Sequence, residues 1–435
     1  VTTAAPPLPT RLRNTVNESV GGLPAVFWWL WLSTLINKLG AFVVTFMALY
    51  LTRVRGYSAS YAGLVISLFG LGSAVSSLVG GVLADRVGRR PTLFGAQFLT
   101  AASTVALAYA DGQLMIAAVA LLTGLCANAA RPAVAAIIAD VVSATDRVRA
   151  FSLNYWAVNI GFGVSSALAG LLAGGDIHAL FLIDAATTAL CALVVFAKVP
   201  ESRPAAPRPG RAAEPKVSLG TVFRDRKFIA LVTTTFLFAV IMCQGNSTLA
   251  LVMGRAGAST TEYGLVVSLN GLLIVVLQIP LTRLAQGRDR ARVLMTAALL
   301  AGWGIATAAF AGSSALLFGL SVAIWTVGEV LQVPANMSLV ADLSPTHARG
   351  RYQGVASLAW AAAAFVGPAA GGLLLDRAGA GAVWGGCALL GTVAGLGYLL
   401  VGRRAGAAAA ERAAAATATA TAPTVADRAA PALAD

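Results

Sequence analysis

Residues 63–71, GLVISLFGL, and residues 264–272, GLVVSLNGL, are near copies about two hundred positions apart in one chain. Downstream, Pro132, Asp140, Arg147 and Arg149 recur at the same mutual spacing as Pro334, Asp342, Arg349 and Arg351, and Trp156 is echoed by Trp360 after a two-residue insertion. Matching Gly, Leu, Val and Ser means little in an apolar chain. Pro, Asp and two Arg in register mean a duplication. A duplicated chain with long apolar runs is expected to form two related halves around a site between them, the arrangement of membrane transporters.

The apolar runs are long enough to make that expectation specific. The chain is 58% hydrophobic and only 11% charged, whereas soluble domains carry about 25% charged residues. A membrane-spanning helix needs roughly 20 apolar residues. Six such runs fall in the first half, at 23–51, 60–84, 92–110, 114–142, 151–173 and 177–197. Six follow in the second, at 228–252, 263–284, 293–311, 316–340, 354–375 and 383–401. The predicted fold is an all-α membrane protein of twelve transmembrane helices in two pseudo-symmetric six-helix bundles. Its expected divisions are a tail at 1–20, a bundle at 21–200, a linker at 201–222, a second bundle at 223–403 and a disordered tail at 404–435. Small residues crowd the second run (Gly70, Gly72, Ser73, Ser76, Ser77, Gly80, Gly81), where they let helix backbones approach.

A net charge of +13 suggests nucleic acid in a soluble chain, but here the charges sort by side. With both termini cytoplasmic, the inner segments hold Arg11, Arg13, Arg86, Arg89, Arg90, Arg147, Arg149, the stretch 198–227, Arg283, Arg288, Arg290, Arg292, Arg349, Arg351 and the tail from Arg403. The outer loops keep Arg53, Arg55, Arg255 and Arg377. This is the positive-inside bias, so the charge records topology and anionic-lipid contact and no nucleic-acid partner is expected. The segment VTTAAPPLPTRLRN has no short apolar core or cleavage site and reads as a cytoplasmic tail, not a signal peptide. The Pro-, Ala- and Arg-rich stretch after Val199 reads as a flexible cytoplasmic linker. Cys126, Cys191, Cys243 and Cys387 lie within apolar runs without ligand spacing, so neither a metal nor a disulfide is expected. Abundant Arg, Ala and Gly point to a GC-rich bacterial genome, hence a bacterial inner membrane.

After the second run comes GVLADRVGRRPTL, residues 81–93. Gly81, Leu83, Asp85, Arg86, Gly88, Arg89 and Arg90 match one for one the G-x-L-a-D-r-x-G-r-R signature loop of the major facilitator superfamily, which the chain resembles from about residue 23 to 404. Bacterial multidrug-type, drug:proton antiporter-like members are the most similar. The resemblance implies that Asp85 and the arginines latch the inner ends of the bundles in the outward-open state, as a carboxylate near a helix amino terminus and guanidinium groups can do. The second-half loop aligns Gln286 with Asp85 and Arg290 with Arg89, so a one-sided latch is expected. The chain also departs from the antiporter pattern: Lys38 and Thr45 replace Arg and Pro in the first run, and Ser165 and Ser166 stand where Gly-Pro is usual. Asp140 and Asp342 read as gate or cap residues.

Counted at about 1.5 Å per residue from the inner helix ends, Lys38 and Arg131 lie at roughly 16 Å, Glu329 at roughly 18 Å and Asp184 at roughly 21 Å. Ionisable groups at that depth are costly unless they face a cavity or a partner, which makes all four candidates. The resemblance places Lys38, Arg131 and Glu329 on the central cavity wall. Glu329 reads as a proton- or cation-coupling group or as an ion-pair member. Asp184 is the reserve for coupling, with a structural pair or helix bond as its other reading. Arg131 and Lys38 either anchor a substrate or acid, or compensate the carboxylates. Asn37, Tyr155, Trp156, Asn159, Gln244, Asn246, Asn270 and Gln278 supply the polar and aromatic groups that a pocket for amphiphiles needs, or interhelical hydrogen bonds. His178 and His347 read as loop residues.

The functional expectation is a secondary active transporter, exporting amphiphilic drugs or natural products in exchange for protons by alternating access. The alternatives are uptake or exchange of a small metabolite and, more distantly, a non-transporting receptor. Without a nucleotide-binding motif, a nucleophile or a carboxylate dyad, neither ATP-driven pumping nor an enzyme is expected. The proton gradient is the expected energy source, with no cofactor and a monomer as the working form.

Overall fold

The computed structural model describes residues 21–143, 146–172, 177–202, 219–344 and 349–421. The expected tail at 1–20, the linker around Arg208 and His347 lie outside them. Inner and outer faces are named below by the charge asymmetry.

The duplication is visible first at helix starts. Ser58 accepts a hydrogen bond from the Tyr61 amide at the head of Ala59–Arg86. Ser259 forms a capping box with Glu262 at the head of Thr260–Ala285. Each serine stands five residues before its copy of the repeated nonapeptide. Both caps satisfy amides that a helix start leaves without partners, so the repeated segments enter the membrane with the same register.

Ten helices are long and apolar enough to cross a bilayer. The last of these, Tyr352–Gly402, is two spans divided at Gly379, where φ is 78° and ψ is 177°. A further span is broken into Ala25–Leu39 and Phe42–Leu49, followed by a π turn at Tyr50–Val54. The described chain therefore crosses twelve times. Span two is Ala59–Arg86, span three Arg89–Ala108, span four Gln113–Ala127 with Ala130–Val141, span five Arg147–Leu172 and span six Ile177–Lys198. Span seven is Arg226–Asn246 with Thr248–Arg255, span eight Thr260–Ala285, span nine Arg290–Ala306 and span ten Ala315–Leu343. Spans eleven and twelve share Arg349–Thr421, which runs past the expected boundary at 403.

The breaks in spans one, four and seven were not expected from hydropathy, since apolar residues continue across them. In span seven, Ser247 Oγ donates to the Cys243 carbonyl at 2.8 Å, competing with the helix ladder at the bend. His178 also departs from expectation: it lies in the first turn of span six, edge-on to Tyr50 with ring centroids 6.2 Å apart.

Within the first bundle, span two packs on four, three on six and one on five and six; in the second, nine packs on ten and eight on ten. The bundles meet where span two crosses the eleventh and where span five crosses the eighth. At the second crossing a methyl group added to Gly264 would lie 2.6 Å from Gly170 Cα. Only glycine permits that approach, and it is how two backbones pack in lipid without a hydrophobic driving force.

Hydrogen bonds between the bundles gather at the outer side. Arg53 donates to the carbonyls of Gly254 and Ala258, both at 2.7 Å. The Ser60 amide and hydroxyl both donate to Asp376, each at 2.6 Å. Thr261 donates to the Gly170 carbonyl at 2.9 Å, and buried Tyr263 to the Thr45 carbonyl at 3.2 Å. The inner-face ion pairs instead stay within one bundle: Arg89 with Asp140, and Arg290 with Asp342. The bundles are thus joined at the outer side, while among the described residues the inner-face ion pairs are made inside each bundle.

Candidate functional site

The break in span one sets the surroundings of Asp184. When the helix stops at Leu39 and restarts at Phe42, the amides of the restarted segment lose their upstream carbonyls. The Val43 amide donates instead to Asp184 Oδ2 at 3.2 Å, across from span six. Asp184 is 9% exposed, and Thr188 donates to its other oxygen at 3.4 Å. The carboxylate thus accepts a bond from the restarted helix inside the bundle, the geometry that its helix-bond reading requires.

Lys38 occupies the last turn before the same break. It feels the fields of both Arg131 on span four and Asp184 on span six. Span five supplies space for it at Gly161, where any side chain would overlap Lys38 Cβ. Arg131 stands at the start of the second segment of span four, and its side chain is exposed. Among the described residues, no ion pair joins any two of Lys38, Arg131, Asp184 and Glu329. The neutral pairing that two cations and two acids allow is therefore not made.

Glu329 belongs to the opposite wall. Its Oε2 accepts from Asn270 Nδ2 at 2.9 Å, joining span ten to span eight, and the same amide nitrogen lies 3.0 Å from Thr326 Oγ1. Across the boundary, Tyr155 of span five lies within the electrostatic reach of Glu329. Asn159, one turn along, donates to the Tyr155 carbonyl at 2.9 Å. The carboxyl group is thus held by one bundle and lies within electrostatic reach of an aromatic hydroxyl of the other.

The remaining polar candidates divide. Asn37 donates to Thr188 at 3.2 Å, and Gln244 donates to the Gly367 carbonyl at 2.9 Å while accepting from Thr248 at 2.6 Å. These two hold helices together. Asn246 is exposed and Trp156 half-buried, while Gln278 keeps a buried Oε1 without a hydrogen-bond partner. A groove of about 480 Å³ between spans seven and twelve, lined by residues such as Phe223, Leu237 and Val393, lies apart from these charges.

At the signature loop, the side chain of Asp85 lies outside the described residues. Gly81 faces open space, Arg86 is exposed in the last turn of span two, and Gly88 adopts a φ of 123° that favours glycine. Among the described residues, no side chain of the loop caps span three. Glu201 does so from beyond span six, accepting from the Arg89 amide at 3.0 Å and the Arg90 amide at 3.2 Å. The Arg89 guanidinium pairs with Asp140 and donates to the Ser202 carbonyl at 3.0 Å. Arg90 bonds the Phe196 carbonyl, with its guanidinium 4.7 Å from the Phe196 ring centroid. Its described residues are tied to their own bundle and to residues 201 and 202. Sequence reasoning assigned Glu201 to a flexible linker; the usable signal was a helix start, G-R-R-P, with two amides and no acceptor.

The second copy repeats one contact of the first. Arg290 pairs with Asp342 just as Arg89 pairs with Asp140, so that ion pair is duplicated although Gln286 replaces the acid at the position of Asp85.

Comparison with known proteins agrees with this architecture. The profile described as Major Facilitator Superfamily matches residues 30–254 and 236–431. The chain is 30% identical over 372 residues to multidrug resistance protein MdtH of Aeromonas salmonicida, covering 84% of this chain and 92% of that protein. It is 28% identical to the uncharacterized MFS-type transporter YqjV of Bacillus subtilis, over 82% of this chain and 88% of that one. Among solved structures, a POT family transporter in complex with a thioalcohol conjugated peptide superposes with a TM-score of 0.75 at 17% identity, over 88% of this chain and 97% of that chain. A D-xylose-proton symporter gives 0.69 at 17% identity, over 86% and 96%. At those identities the two structures speak for the fold alone.

Proposed function

The chain belongs to the major facilitator superfamily, and from that premise we propose that it is a proton-coupled exporter of amphiphilic small molecules in a bacterial inner membrane, with both termini cytoplasmic. The observation that carries the reading is Glu329, an intramembrane carboxyl group held by Asn270 of its own bundle and close enough to Tyr155 of the other to act on it electrostatically. Ionisable groups at such depth are functional candidates by default. A group on the boundary between two rocking bodies changes its surroundings whenever they rock, which is what coupling needs.

The cycle follows from the geometry. With the outer ends joined, the cavity loads from the cytoplasmic side, where the ionised Glu329 is available to cargo. Separation of the outer bonds turns the same wall outward. A proton arriving there neutralises Glu329 and weakens its hold on cargo; its release inside after return completes the exchange. The resemblance to proteins named for multidrug resistance supports export over uptake.

The test is transport in proteoliposomes under an imposed pH gradient, using a panel of amphiphilic dyes and antibiotics. Glu329→Gln is expected to retain binding and lose gradient-driven movement. Wild-type gradient dependence in that variant would assign coupling elsewhere. Accumulation with the proton flux, rather than against it, would replace export by uptake.

A further inference from the structure

We propose that the groove between spans seven and twelve binds an anionic phospholipid of the inner leaflet, with an acyl chain laid along the groove and the phosphate held at its mouth by Arg226. The site stands apart from the charges near the midplane and needs nothing from the exporter reading.

The groove has the length of one leaflet. Span seven begins on the inner side at Arg226, and Leu237, which also lines the groove, lies about 16 Å further along the helix. Span twelve returns to the inner side at Gly402, which puts Gly397 about 8 Å and Val393 about 14 Å from that end. Half of a hydrocarbon core of about 30 Å is about 15 Å. The groove therefore runs from the inner surface to the midplane on both of its helices, the reach of one acyl chain.

Its surface suits such a chain. Ile229, Ala230, Leu237 and Val393 line it. At Gly397 the first carbon of any side chain would lie 3.0 Å from Thr234 Oγ1, so the two helices close over the floor there. Thr234 turns its hydroxyl back to the Ala230 carbonyl at 2.6 Å and asks nothing of an occupant. Exposed Phe223, in the short helix Leu219–Arg224 just before the span, carries the apolar wall out to the surface.

The mouth carries the charge. Arg224, Arg226 and Lys227 are all exposed, and none of them makes an ion pair among the described residues. The acid between them is committed elsewhere: Asp225 accepts from the Lys227 and Phe228 amides, both at 3.1 Å, and from the Tyr352 hydroxyl at 3.2 Å. The sequence just upstream adds Arg203, Arg208, Arg211 and Lys216 against Glu214. Surplus positive charge at the inner leaflet attracts anionic headgroups. Of the three exposed cations, Arg226 is the one that also lines the groove, and a guanidinium can bond two phosphate oxygens at once. A zwitterionic lipid would fill the groove but bring an ammonium group into the same field. A free phosphate would meet the charge and leave the apolar wall uncovered.

The experiment titrates the full chain, purified in detergent and stripped of lipid, with dioleoyl phosphatidylglycerol or dioleoyl phosphatidylethanolamine, and counts bound lipid by native mass spectrometry. The first phosphatidylglycerol is expected to bind at least about fivefold more tightly than phosphatidylethanolamine with the same chains. Arg226→Gln should remove most of that preference by weakening phosphatidylglycerol alone, whereas Arg288→Gln, at an exposed cation that does not line the groove, should keep it. Ala230→Trp fills the groove and should weaken both lipids. Glycerophosphoglycerol, the same headgroup without chains, should fail to displace the lipid. Equal binding of the two lipids to the unaltered chain overturns the proposal, as does displacement by the chainless headgroup. An unchanged preference in folded Arg226→Gln, an equal loss in Arg288→Gln, or full phosphatidylglycerol binding by Ala230→Trp also overturns it. The lipid ratio and the displacement are read on the unaltered chain, so a variant that fails to fold leaves the test standing.

Discussion

Removing Asp376 should open the outer gate by an amount that the structure lets one estimate. Asp376 pairs with Arg255 inside the second bundle, and that contact can persist in either state. Its two bonds to Ser60, from the amide and the hydroxyl at 2.6 Å each, cross to the first bundle and exist only when the outer side is closed. Bonds to a charged group are worth about 1.5–3 kcal/mol when shielded, and solvent access at this exposed site reduces each to about 1 kcal/mol. Asp376→Ala therefore costs the closed state about 2 kcal/mol, a shift of about thirtyfold toward outward-open. Ser60→Ala removes only the hydroxyl bond and should shift the balance about fivefold. The reporter is a cysteine at Leu251, 4% exposed beside the sealed outer end, in a chain whose four native cysteines are replaced. An impermeant maleimide applied to intact cells reads how often that end opens. Labelling rates within twofold of the unaltered chain for both variants, or a larger effect of Ser60→Ala than of Asp376→Ala, would refute the reasoning.

Three further outcomes follow from other parts of the fold. Glu201→Ala removes the side-chain acceptor that caps the head of span three among the described residues and should lower stability by about 1 kcal/mol, read as an earlier thermal unfolding transition with Glu201→Gln intermediate. Gly264→Leu places a side chain where even a methyl group would come within 2.6 Å of Gly170 Cα, so it should abolish turnover or disturb assembly, seen as lost transport and altered elution, whereas Gly81→Ala, facing open space, should do neither. A cysteine at Arg208 should react with impermeant reagent only after permeabilisation; reaction in intact cells would reverse the assigned topology.

The architecture was legible because its causes are local or repetitive. Apolar length located all twelve spans, and the repeat matched the halves down to the serine caps at Ser58 and Ser259. The role of Asp184 was not legible, because it depends on a break in another helix. Nothing in NKLGAFVV except Gly40 hints that the chain stops and restarts, yet that break creates the amide Asp184 satisfies. Depth counting brought four charges near the midplane, and their positions in the chain already put Lys38 and Arg131 in the first bundle and Glu329 in the second. Their partners were not legible: the Asn270 bond to Glu329 joins two helices, and no spacing within one helix encodes it.

The inner loops carry the same lesson in the opposite direction. Reading along the chain, Gln286 in place of the acid marks the second loop as a degraded copy. The repeat had nevertheless kept Asp140 and Asp342 in register, and the structure joins them to Arg89 and Arg290 respectively. Each pair ties the start of one span to the inner end of another within its own bundle, spans three and four in one half and nine and ten in the other. Such a tie serves the rigidity of a bundle, and both bundles need it whichever way the transporter faces. What the second copy lost is the acid, while Glu201, which caps the first loop from beyond span six, sits at the start of the linker. The first loop therefore combines two jobs that the described residues separate: an arginine–aspartate tie made in both halves, and a cap on span three that Glu201 makes in the first. Since both contacts are made inside one bundle, neither of them by itself joins the two bundles at the inner side.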